Sequence, residues 1–193
     1  MTTMTKERAA ELLSRQPEAT KQGLPDVGVC IQCLASYNNG IHHFQWVDLE
    51  ALIQEGESLD ECIAWVMETS PTPGAEEWIF SDSSGLPSFL QGESVDARLL
   101  WAYAQELHGV MEHHKEAYKA CCDQLAWIVD AEKFEEALVG EGRVEDFVEE
   151  FFDESELPDW VAQYVDWDAL AADLKLNGDL FEAGDWVFRG GVL

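Results

Sequence analysis

Between Glu141 and Asp159 the chain reads EGRVEDFVEEFFDESELPD, nine acidic residues against one arginine. Glu145, Asp146, Glu149, Glu150 and Asp153 fall at spacings that a helix turns into close neighbours. Side chains three or four positions apart on a helix lie within ~5–6 Å of one another. Carboxylates so placed can hold a divalent cation, divide acid and base roles, or present an array of negative charge to a basic partner. Each like-charge pair costs a few tenths of a kcal/mol. A chain that carries many of them must recover that cost elsewhere or have it neutralised by a partner.

Three other clusters invite chemistry. Cys30-x-x-Cys33, with His42 and His43 across a turn, has the composition of a zinc site. In an extended strand, however, residues i and i+3 point to opposite faces, and no glycine lies between the two cysteines. A redox pair of this spacing also wants a helix N-terminus beside it, and none is expected here. Both thiols therefore read as small buried side chains, as do Cys121 and Cys122 on a helix that follows His113 and His114. Asp166-x-Asp168 with Asp179, Glu182 and Asp185 offers oxygen ligands for Mg²⁺ or Ca²⁺, but the calcium-loop pattern, a phosphate-binding glycine loop and HExxH are all absent. With 39 acids in the chain, accidental carboxylate pairs are expected. No catalytic residue, metal ligand or cofactor site is assigned, and the chain reads as a non-enzyme.

The elements that must position the acids follow from periodicity. Val144, Phe147, Val148, Phe151 and Phe152 recur on one helical face, which predicts a single acidic helix anchored by that stripe. Val27 to Ala35 reads as a strand, Asn39-Gly40 as a hairpin turn, and Ile41 to Val47 as the returning strand. Leu49 to Ile53 forms a short turn. Ser58 with Glu61 three residues on is a capping box opening a helix that carries Leu59, Ile63, Val66 and Met67. Pro71, Pro73 and Gly74 end it, and Glu76 to Phe80 is a third strand. Ser94 caps a helix running to about Leu107. A second carries Met111, Tyr118, Cys122 and Leu125, and Asp130 caps a third with Phe134 and Leu138. Beyond Pro158 come two short helices, Asp159 to Val165 and Asp166 to Leu174. The turn at Asn177-Gly178 and a closing strand from Asp185 to Phe188 complete the chain. The expected fold is α+β: an elongated acidic protein of three small domains in series. A hairpin-containing domain spans 27–91, a helical one 92–157 and a mixed C-terminal one 158–193, behind an N-terminal extension of 1–26 that is either a short helix (Glu7 to Leu13) or a loose arm.

Composition narrows the function. The chain has 193 residues, 39 acidic and 11 basic, for a formal net charge of -28, and 47% of its residues are hydrophobic. That much apolar content argues for a packed core. Residues 1–26 carry four acids and four bases, residues 27–97 twelve acids and no Lys or Arg, and residues 98–193 the other 23 acids with seven bases. Direct binding to nucleic acid is disfavoured because it draws on Lys and Arg to neutralise phosphates, and so is an anionic membrane surface. A basic protein is attracted. Five cysteines, an odd number, argue against a disulfide scaffold, and a reducing cytoplasm is the expected compartment. Carboxylates at i, i+4 on a helix, or on alternate strand residues ~6.6 Å apart, repeat at about the spacing of phosphates along a DNA strand. Rigid elements displaying them resemble a duplex backbone to a protein that reads shape.

Four stretches in matching order then carry a family resemblance: CLASYNNG (Cys33 to Gly40); Trp46 and Asp48; SPTPGAEEW (Ser70 to Trp78) with Asp82; and YVDWDALAADLKLNGDLF (Tyr164 to Phe181). Across 27–193 the sequence resembles the ArdA antirestriction family. The resemblance implies a dimeric, three-domain mimic of bent DNA that occupies the basic DNA-binding groove of a type I restriction-modification enzyme. It would thereby protect phage or plasmid DNA entering a bacterial cytoplasm. The acids expected on the protein-binding surface are Asp48, Glu50, Glu57, Asp60, Glu61, Glu76 and Asp82 in the first domain. In the middle domain they are Glu132, Glu135, Glu136, Glu145, Asp146, Glu149, Glu150, Asp153 and Glu154. The resemblance also implies an interface segment matched by Leu176, Asn177, Gly178 and Asp179, to which Leu180 and Trp186 add apolar surface. That apolar surface reads alternatively as the domain's own core. Two departures stand out: the extension 1–26, and Ile41-His42-His43-Phe44 where relatives often carry a basic residue and His-Gly. Two alternatives remain: the same mimicry against a CRISPR effector or a nucleoid protein, and a metal-dependent acidic enzyme or regulator.

Overall fold

The structure, a computed structural model, describes residues 6–21, 23–151 and 164–193. It is a mixed α and β fold with two three-stranded sheets. The chain divides into two compact units, residues 1–108 and 109–193. This division falls between the boundaries expected at 91/92 and 157/158, the second of which lies outside the described residues.

The first unit is organised around β1 (Gly28–Cys33), every residue of which is buried. A continuous run of β-branched and apolar residues without polar alternation is the signature of a strand covered on both faces. β2 (Phe44–Asp48) and β3 (Trp78–Ser84) pair antiparallel on either side of β1, in the order β2-β1-β3. The connection from β1 to β2 corrects the simple hairpin expected from Asn39-Gly40. β1 ends at Cys33, and a helical turn, α2 (Leu34–Asn38), follows it. Its cause is tertiary: the buried Ser36 hydroxyl bonds Thr72 Oγ1 at 2.8 Å and Ser70 Oγ at 3.1 Å. The chain then reverses at Gly40, whose φ of 70° suits only glycine without strain.

α3 (Leu49–Glu55) is capped by Asp48, which accepts from the N–H groups of Glu50 and Ala51. α4 (Leu59–Glu68) opens on the expected capping box, with Ser58 and Glu61 bonding each other's backbone N–H. It turns Leu59, Cys62, Ile63 and Val66 into the core. α5 (Ala97–Gly109) begins later than expected from Ser94, because Asp96 accepts from Arg98 N at 2.8 Å and so caps it. The N-terminal extension is held against this unit. Its helix α1 (Lys6–Ser14) and the 3-10 turn Glu18–Thr20 bury Leu12, Ala19 and Thr20.

In the second unit α6 (Lys115–Leu125) and α7 (Ala131–Ala137) meet through Tyr118 and Phe134, whose rings pack edge to face at 5.1 Å. Asp130 caps α7 as expected, accepting from Lys133 N. The chain then departs from the expected helical reading: Leu138–Glu141 is a strand, β4. The single acidic helix is likewise corrected. α8 spans only Val144–Phe147 and passes into a 3-10 turn, Val148–Phe151. Gly140 and Gly142 lie against the Phe147 ring, and a Cβ on Gly140 would come within 2.9 Å of it. The ring therefore closes over an extended segment, and helix cannot run back through it. Phe152, Asp153, Glu154 and the helix expected at Asp159 to Val165 lie mainly or wholly outside the described residues.

α9 (Trp167–Asn177) is capped by Asp166, which accepts from Ala169 N, and stops at Gly178. β5 (Leu180–Ala183) and β6 (Trp186–Arg189) complete an antiparallel sheet in the order β4-β6-β5. Val144, Val148, Ala171, Leu180 and Val187 form a core beneath it, with Phe147, Trp167, Leu170 and Leu174 packed alongside. Among the described residues no helix is long and apolar enough to cross a membrane.

Candidate functional site

The expected acids divide by what their carboxylates do. Asp60, Glu76, Glu132, Glu136 and Glu149 are exposed, as is Asp82, whose Oδ1 accepts from the adjoining Ser83 N–H. They stand on α4, the approach to β3, β3 itself, α7 and the turn after α8. On α4 and α7 they are held there because the opposite face of the helix is buried. On α7 the anchors are Phe134 and Ala137, with Glu132 and Glu136 turned outward.

Other members of the set are spent on the fold. Asp48 is the cap of α3, and half-buried Glu57 accepts from Glu18 N at 2.7 Å and Ala19 N at 3.0 Å. Glu61 completes the capping box, and the two bonds from Ser58 hold its carboxyl below the ordinary value of 4.5. Glu135 is half-buried, accepting from Met111 N at 3.1 Å and lying 2.7 Å from His114 Nδ1. Asp146 accepts from Arg143 N at 2.8 Å. Glu50 is half-buried at the start of α3. Glu150 lies in the 3-10 turn.

Glu145 belongs to a small charge network. Lys175 Nζ lies 2.5 Å from Glu145 and 3.7 Å from Glu182, and Arg143 reaches the same two acids at 3.8 and 3.7 Å. The hydrogen bond from Lys175 is the main reason the Glu145 carboxyl sits below 4.5, and the same bond raises Lys175 above 10.5. This network ties α8 to α9 and β5.

Several exposed acids lie outside the expected set: Glu55, Glu77, Glu116, Asp168, Asp173 and Asp185. Their signal in the sequence was position opposite an apolar stripe, legible for Glu116 on α6 and Asp173 on α9. The bases are largely matched within the chain, as in Arg8–Glu11, Lys21–Glu18, Lys115–Glu112 and Lys119–Asp123. Pairing of this kind leaves the large acid excess facing water.

The other clusters are placed as follows. All five cysteines are buried free thiols. A short helix does follow Cys33, contrary to expectation, but the Cys33 thiol is fully buried and bonds Ser70 Oγ at 3.2 Å. Burial pushes Cys62 and Cys121 up to about 12, where a thiol is neither nucleophile nor ligand. His42 is exposed, while His43 Nε2 sits 2.7 Å from the Val66 carbonyl. Among the described residues no group of three or more His, Cys, Asp or Glu is placed to hold a metal ion.

The interface candidates separate too. Leu176 is 84% exposed, and Asn177, Gly178 and Asp179 are exposed beside it. Leu180 is 3% exposed and fills the unit's own core. Half-buried Trp186 pairs with Glu141 and Ala183 across the sheet.

No curated protein matches the chain. A family model described as Antirestriction protein (ArdA) matches residues 29–188, from the second residue of β1 to the third of β6. The match takes in both sheets and the acid-bearing helices between them, and the chain belongs to the ArdA antirestriction family.

Proposed function

We propose that this protein inhibits a bacterial defence enzyme by occupying its DNA-binding groove as a mimic of the duplex, and that the target is a type I restriction-modification complex. The observation that carries this reading is the outward display of carboxylates from rigid elements in both units. Asp60 and Asp82 stand out from α4 and β3 in the first unit, with Glu76 on the approach to β3, and Glu132, Glu136 and Glu149 stand out from the second. A groove that binds DNA by neutralising phosphates responds to such an array through the same Coulomb attraction. Membership of an antirestriction family supplies the biological setting. The protein then acts by binding and without catalysis, in the cytoplasm of the bacterial host. It needs no cofactor, and neither nucleic acid nor membrane is its ligand.

We further propose a homodimer joined through the C-terminal unit, where exposed Leu176 and the Asn177-Gly178-Asp179 turn offer the contact and half-buried Trp186, at the other end of the β5–β6 hairpin, adds apolar surface. A two-fold pair lengthens the charge array and gives it the pseudo-symmetry of a DNA site. The segment ahead of the matched residues favours one further possibility, the same mimicry against another basic target such as a CRISPR effector or a nucleoid protein. The test is capture from host lysate on the immobilised protein, with identification of what is bound and elution by duplex DNA. A type I complex released by duplex is the expected result. A captured partner that duplex leaves in place counts against mimicry.

A further inference from the structure

The extension that precedes the family-matched residues packs its 3-10 turn against α3 and β2 and makes further contacts on acids at the start and end of α4. Glu61 and Glu68 lie seven positions apart on one side of that helix, and Glu57 stands just ahead of its Ser58 cap. With Ala64 and Trp65 they form one wall of a cleft of about 340 Å³, whose other wall is Ser14, Arg15, Gln16 and Pro17. Glu61 is taken by the Ser58 cap, and the extension occupies the other two carboxylates. Glu57 takes the N–H groups of Glu18 and Ala19, at 2.7 and 3.0 Å, and Arg15 Nη1 lies 3.2 Å from Glu68 Oε2. Between them Trp65 Nε1 donates to the Leu12 carbonyl at 3.0 Å, and the Leu12 side chain is buried beneath the helix. The extension therefore puts one guanidinium and two backbone donors where a basic partner would place its own.

We propose that residues 6–21 are a strap that withholds the carboxylates of Glu57 and Glu68, an intramolecular competitor that a basic groove must displace. The inference rests on the reading of the exposed acids as a partner-binding array. The part of the strap that ends at Arg15 suits displacement. The Arg15–Glu68 pair is exposed on both sides, so it contributes little by itself. Buried Leu12 holds the helical part, while the turn, with Pro17, Ala19 and Thr20 buried, is packed on α3 and β2. A groove lined with several Lys and Arg side chains offers α4 more positive charge than the strap does.

The test uses the full chain and a fluorescent peptide of ten lysines as the probe, read by anisotropy at low and moderate salt. Leu12→Ser loosens the strap without changing net charge. It should speed trypsin cleavage at Lys21 by about tenfold, leave the far-ultraviolet dichroism intact, and tighten peptide binding ~threefold, the scale expected for freeing two exposed carboxylates. Adding Glu57→Gln and Glu68→Gln should abolish that gain. Faster cleavage with unchanged affinity overturns the proposal. So does a gain that survives loss of both acids, and so does unfolding of the first unit, which would make the strap part of the core. Arg15→Gln, which removes no buried atom, gives a second reading against Arg8→Gln, an equal charge change within the strap. Equal effects from the two also overturn it. The peptide involves no restriction enzyme, so failure of the mimicry reading would show separately, as a lysate capture that yields no DNA-binding complex.

Discussion

Replacing Leu12 by alanine measures how firmly the N-terminal segment belongs to the first unit. Leu12 is 3% exposed, and its carbonyl accepts from Trp65 Nε1. Burial of a leucine and the cavity left by its removal together cost ~2–5 kcal/mol in a closed core. Here the hole opens beside a groove lined by Leu13, Phe44, Trp65 and Val66, and Leu13 and Phe44 are 63% and 50% exposed. Those side chains can move into the space, so the low end applies, about 2 kcal/mol. For a unit of this size that corresponds to a fall in Tm of roughly 8–15 °C. The loss is also capped by the docking free energy of the segment, because the body can unfold from an undocked state. Calorimetry, with hydrogen exchange to assign the transition to the first unit, is the assay. A fall of less than about 2 °C, well below one kcal/mol by the same scaling, would refute the reasoning and mean that the segment is not docked.

Further outcomes follow from the second unit and from the surface acids. A Cβ on Gly190 would collide with the Gly178 carbonyl oxygen, while one on Gly178 meets open space and only its φ of 78° is unfavourable. Gly190→Ala should therefore cost ~2–3 kcal/mol in a urea titration and Gly178→Ala about 1; the reverse order would contradict the packing of that turn. Glu145 titrates below 4.5 in the folded protein and Lys175 above 10.5. The depressed acid stabilises above its unfolded value and loses that contribution as pH falls through the folded one. The raised base stabilises below 10.5 and loses its contribution as pH rises through its folded value. Lys175→Met should flatten both limbs of a stability–pH curve for this unit, and an unchanged acid limb would remove Glu145 from the account. Glu149→Gln alone should weaken target binding less than about threefold. Neutralising Asp60, Asp82, Glu132 and Glu136 together should cost far more and flatten the salt dependence. A single exposed acid whose loss abolished inhibition would point to chemistry instead.

What the sequence disclosed, and what it hid, has a physical pattern. Ser58 with Glu61, Asp130 and Asp166 announced their helices because a cap is a local interaction between residues two or three apart. The β1–β2 pairing was legible from a strongly apolar run and a turn. The helical turn between the strands was not, since Ser36 is held by Thr72 and Ser70, more than thirty residues away. β4 and β5 are four residues each and show no alternation, and their pairing with β6 joins segments far apart in the chain. For the acidic stretch, the buried face was legible, in that Val144 and Val148 are both buried. Its helical length was not: the backbone passes into a 3-10 turn after Phe147, a change that the apolar spacing does not mark. The acids themselves were easy to count and hard to sort. Nothing local distinguishes Glu57, which holds the strap, from Asp60, which faces water.

The central claim is that the exposed carboxylates stand in for phosphates, and competition for one groove tests it most directly. A fluorescent duplex bound to a purified type I restriction-modification complex is titrated with this protein at several salt concentrations. Mimicry predicts full displacement of the duplex, with an apparent affinity that falls as duplex concentration rises and weakens steeply with salt. Inhibition of restriction with the duplex still bound, or displacement indifferent to salt, would contradict it.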